Sequence, residues 1–123
     1  MNWNKLQDLA LREVEATLKA LPAALRERAK QVPVTFERVP NPGLEEDGIE
    51  PDTLGLFTGP EFADEEASAS PLPPQIILFL ENQWDQAEAD EKRFQAEVRT
   101  TYLHELGHYL GLDEQDLIGR GLE

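Results

Sequence analysis

The sequence predicts a small α/β (α+β) fold, in which a small sheet packs against an N-terminal helix and a second helix near the other end. Three observations point there. Apolar residues recur at helical spacing through Trp3, Leu6, Leu9, Val14, Leu18 and Leu21. They do so again through Phe94, Val98, Tyr102, Leu106 and Leu110. Between these stretches, VPVTFERV and QIILFL are short apolar runs with β-branched and aromatic side chains, the pattern of strands. The 123 residues suffice for one domain, spanning 1–123, with a modest core.

Taken in order, the first helix is expected over Asn4–Leu21, with charged residues on its outer face. Pro22 ends it, because proline lacks an N–H and disfavours helix in the residue before it. Ala24–Lys30 reads as a short second helix. Val32–Val39 reads as a strand, alternating Val34 and Phe36 with outward residues. Pro40–Pro74 reads as loop, with a turn at NPG and a short strand in LGLFTG, Leu54–Gly59. Gln75–Leu80 is dense enough in apolar residues for a strand covered on both faces, or nearly so. Asp85 and Glu88 have capping-box spacing, and Asp90 is a second cap for the long helix that follows. Gly111 is placed to stop that helix in a left-handed conformation. A final turn is expected over Glu114–Leu117.

Composition narrows the function. The formal net charge is −14, from 25 acidic and 11 basic residues, which repels nucleic acid and anionic membrane surfaces. A macromolecular partner or substrate is therefore expected to be neutral or basic. There is no cysteine, so disulfides, thiolate catalysis and cysteine-ligated metal are excluded. The N-terminal stretch is charged throughout, unlike a signal peptide. No window approaches the ~18 apolar residues of a membrane span. The cytoplasm is the expected compartment.

Both histidines fall in one short stretch, YLHELGHYLGLDE, as His104 and His108. Residues four apart share a helix face, so the two imidazoles can bind one metal ion. Glu105 follows His104 directly and can reach a water on that metal without ligating it. This is the physical content of H-E-x-x-H, and it points to Zn2+ with Glu105 as the general base. Glu105 would take the water's proton and pass it to a leaving amine.

Catalytic zinc takes three protein ligands and keeps one position open. The chain has no third histidine. If the helix ends near Gly111, the chain can turn back and offer a carboxylate. Glu114, ten residues after His104, is the first choice because its long side chain tolerates the reach. Asp113 is the rival and Asp116 the weaker one. Tyr102, Tyr109 and Arg99 lie close in sequence, but read as packing or surface residues rather than as oxyanion donors.

HELGHYLGLDE resembles the metzincin signature H-E-x-x-H-x-x-G-x-x-H, with Glu114 where metzincins have their third histidine. From about Leu6 to Leu117 the chain also resembles a family of small bacterial zinc metallopeptidases, the minimal zincins. The features that carry this are LPAAL, VTFERVP, LGLFTG, QIILFLE and HELGHYLGLDEQDL. The resemblance implies a minimal zincin-like fold with the motif helix on a small sheet, an acidic ligand at Glu114, and peptide substrates. It also implies a substrate lying along an edge strand, a part for QIILFL or LGLFTG, although QIILFL reads rather as a central core strand. The metzincin methionine turn has no counterpart, since the single methionine is Met1. One wall of a substrate cleft is therefore expected from Pro40–Pro74 or from a second subunit. The leading expectation is a zinc-dependent peptidase or amide hydrolase. The alternative is a catalytically inactive zincin-fold module that binds metal or a protein partner.

Overall fold

The computed structural model describes residues 1–60 and 73–112. Asp113, Glu114, Asp116, the turn expected over Glu114–Leu117 and the first part of SASPLPP lie outside the described residues.

Helix α1 (Trp3–Ala20) begins at Asn2, whose side-chain oxygen accepts from the Lys5 amide at 2.8 Å. That satisfies one of the donors a helix start leaves orphaned. Its inner face buries Leu6, Leu9, Ala10 and Val14. Helix α2 (Ala23–Ala29) follows Pro22 and buries Leu25 and Ala29. Strand β1 (Val34–Glu37) is shorter than expected at both ends. Pro33 has no N–H for the ladder, although its carbonyl still accepts from Ile76 N at 3.0 Å.

The region expected to be loop around one short strand also carries a helix. Helix α3 (Pro42–Glu46) is built from NPG: Asn41 caps it by accepting from Leu44 N at 2.9 Å, and Pro42 supplies a helix-ready φ. Strand β2 (Gly55–Thr58) lies within LGLFTG. Strand β3 (Gln75–Phe79) is central, in the order β1-β3-β2, parallel to β1 and antiparallel to β2. Ile76 and Leu78 are fully buried, whereas Ile77 on the opposite face is only half-buried. Phe79, on the same face as Ile77, is fully buried, so the strand is nearly covered on both faces.

Helix α4 (Leu80–Gln86) starts where β3 ends, with no break in the apolar run. This overturns the capping box at Asp85 and Glu88: Asp85 lies inside α4, and Glu88 adopts a left-handed φ of 55°. The cap of helix α5 (Glu91–Leu110) is Asp90, which accepts from Arg93 N at 2.9 Å. Helix α5 packs on β2, β3, α1 and α4. Its inner residues Phe94, Val98, Tyr102, Leu106 and Tyr109 form one core with Leu6, Ile76 and Leu78. This is a small α+β fold, with the N-terminal helix packed beside a mixed three-stranded sheet. Among the described residues, no helix is long and apolar enough to cross a membrane.

Candidate metal centre

The end of α5 sets where the motif sits. Gly111 adopts φ 72°, a left-handed conformation that a side chain disfavours. Its N–H donates to His108 O at 3.3 Å, and Leu112 N donates to Gly107 O at 2.8 Å. These are the two bonds of a Schellman motif, and they turn the chain sharply one helical turn after His108.

His104 and His108 both face solvent, with ring centroids 4.9 Å apart and planes nearly perpendicular at 89°. Glu105, between them in sequence, is only 8% exposed. The ligand atoms offered by these three residues lie within 4.8 Å of one another. Two ligands on one zinc, each at ~2.0–2.1 Å, stand roughly 3.3 Å apart in a tetrahedral site. Small rotations of two exposed imidazoles close that difference, so the donor set fits a metal ion.

Strand β2 supplies the other half of the site. Phe79 N donates to Leu54 O at 3.0 Å, which fixes the phase of the antiparallel ladder. Peptide groups alternate along such a ladder, so Gly55 and Phe57 turn theirs away from β3. The Phe57 backbone hydrogen-bonds the Glu105 carboxylate. Burial pushes the Glu105 carboxyl above the usual carboxylate range, while His104, His108 and the Phe57 amide pull it partly back. On the sheet face toward α5, Gly55 sits opposite Leu78 and Phe57 opposite Ile76. A Cβ built on Gly55 would lie 2.6 Å from Thr101 Cγ2 and 3.3 Å from Glu105 Cγ. The absent side chain is therefore what lets the motif helix come this close. Two residues on, the Phe57 ring meets Tyr109 at 5.9 Å between centroids.

The structure brings His104, Glu105 and His108 together as the spacing requires. Glu114 and its rivals Asp113 and Asp116 lie outside the described residues. Tyr102 and Tyr109 are buried in the core, as packing residues, and burial pushes the Tyr102 hydroxyl up to about 12. Gly55, Phe57 and Thr101 were missed by sequence reasoning. One signal was available for the first: a glycine inside a strand pattern often marks a close backbone approach.

A family model described as Zincin-like metallopeptidase matches residues 29–122, which takes in every strand and the whole of α5. No curated protein matches the chain.

Proposed function

The chain belongs to the zincin-like metallopeptidase family, and on that premise we propose that it is a zinc-dependent peptidase acting on neutral or basic peptides in the cytoplasm. The observation that carries this reading is the Glu105 carboxylate. It is nearly buried, yet it lies beside two solvent-facing histidines and is held by a backbone amide of the neighbouring strand. A carboxylate kept out of water at such a place is costly unless it has a task.

His104 and His108 would hold the ion, with Glu114 as third ligand, brought round by the turn at Gly111. When bound, zinc supplies Lewis-acid polarisation of a carbonyl and a more acidic water. Glu105 supplies the rest. Its carboxylate accepts the proton of the attacking water and then donates it to the leaving amine. The Phe57 amide fixes the carboxylate's direction, so proton transfer needs no search for geometry. The peptide N–H and C=O that Gly55 turns away from β3, with the Phe57 carbonyl, offer an extended substrate a strand edge to align with. The net charge of −14 favours a basic or neutral peptide over an acidic one.

The test is elemental analysis of untagged protein purified without chelator, followed by incubation of the zinc-loaded chain with a peptide library. About one zinc per chain, with cleavage that Glu105→Gln abolishes, is the expected result. Zinc bound without cleavage of any peptide leaves a metal-binding module in place of the enzyme.

A further inference from the structure

A cavity of about 260 Å3 opens beside the triad, between β2 and the middle of α5. His104 and Glu105 form one end, Leu54 and Thr101 line its sides, and Glu97 stands at the other end. Glu97, Thr101 and Glu105 follow one another at four-residue intervals, so they share a stripe of the helix. Seven residues separate Glu97 from His104, roughly 10 Å along the axis. Gly55 again matters here, because any side chain on it would intrude between strand and helix.

The volume lies below the ~300–1,000 Å3 typical of whole-ligand pockets, so it suits one side chain rather than a whole molecule. Its lining is ordered along its length. Between the two ends the walls are Leu54 and the Thr101 methyl. At the far end is a half-buried carboxylate, which has no ion-pair partner among the described residues. An aliphatic stem carrying a positive head has the complementary order. An acidic side chain would meet the like charge of Glu97. A purely apolar one would cover that carboxylate without pairing it.

We propose that this cavity is a substrate side-chain subsite, and that Glu97 makes it selective for lysine or arginine. The inference rests on the peptidase reading and adds the residue that chooses the substrate. The basic side chain lies along Leu54 and Thr101, with its head at Glu97 and its backbone carried past Glu105.

The test is binding of acetyl-Ala-Ala-Xaa-Ala-Ala-amide peptides, with Xaa as Lys, norleucine or Glu, to the zinc-loaded full chain. Titrations follow the Thr100 and Thr101 methyl resonances in the Glu105→Gln background, so that the peptide stays intact. The Lys peptide is expected to bind about fivefold tighter than the norleucine peptide, as one partly exposed ion pair allows. Glu97→Gln is expected to erase that preference, and Glu97→Lys to shift it to the Glu peptide. Equal affinity for Lys and norleucine overturns the subsite, as does a Lys preference that survives Glu97→Lys, or no binding at all. Cleavage is followed in parallel by mass spectrometry with Glu105 intact. A Glu97-dependent preference without cleavage removes the peptidase reading and keeps the subsite. Cleavage without the preference does the reverse.

Discussion

Gly55 of β2 and Thr101 of α5 meet so closely that a single added carbon on the glycine would stand 2.6 Å from the threonine methyl. Thr101 is β-branched and stiff at χ1, so it cannot swing away cheaply. Gly55→Ala is therefore expected to push α5 off the strand and to destabilise the chain by ~1–3 kcal/mol, the usual penalty of overpacking. Thr101→Ser removes the methyl that would collide. In denaturant unfolding, the double variant should recover most of the loss, giving a large coupling in the double-mutant cycle. Independent, additive effects would show that the contact does not set the spacing.

The buried Glu105 carboxylate should make the metal-free protein less stable than it could be. Its pKa in the fold is raised above the unfolded value, so the fold binds the proton more tightly than the unfolded chain does. Stability then falls as the pH rises from the unfolded value through the folded one. Glu105→Gln removes this dependence and can keep the bond from Phe57. With chelator present, the variant is expected to melt higher than the parent at neutral pH, and the gap should close toward pH 4. A lower melting temperature for the variant at neutral pH would refute this.

Third-ligand identity can be read from zinc competition. Glu114→Ala is expected to weaken zinc binding by more than the roughly 10–100-fold that loss of an outer partner costs. Asp113→Ala and Asp116→Ala should stay near the parent. If Asp113→Ala is the damaging change, the chain turns back one residue earlier than proposed.

The turn itself is testable at Gly111, whose φ of 72° is unfavourable for a residue with a side chain. Gly111→Ala should cost about 1–2 kcal/mol and, with Glu114 as the proposed third ligand, weaken zinc binding as well. Gly111→Asn, which tolerates the conformation better, should restore much of both. A loss of stability with zinc affinity unchanged would separate the turn from the metal site.

How much could be read from the chain alone depended on whether the signal was local. Helices α1 and α5 were legible because their apolar stripes run over several turns, and HELGH because two histidines at one spacing carry their geometry with them. Helix α4 was hidden: Phe79 and Leu80 continue the apolar run of β3, and no cap or glycine marks the change of conformation. At α3 the same residues, Asn41 and Pro42, serve either a turn or a helix start, and only five residues of helix follow. The role of β2 was illegible for a different reason. Nothing in LGLFTG states that Phe57 will meet Glu105, because that contact exists only after strand and helix have docked.

The motif helix holds its shape through its own caps and packing. Asp90 closes one end, the Gly111 turn closes the other, and its inner face is filled by Phe94, Val98, Leu106 and Tyr109. The imidazoles stand outside this framework, on the solvent side. A metal ion could therefore reach the two imidazoles from solvent without any described element opening. Metal binding is then expected to leave the fold of this helix unchanged, unlike a zinc finger, which folds only around its ion.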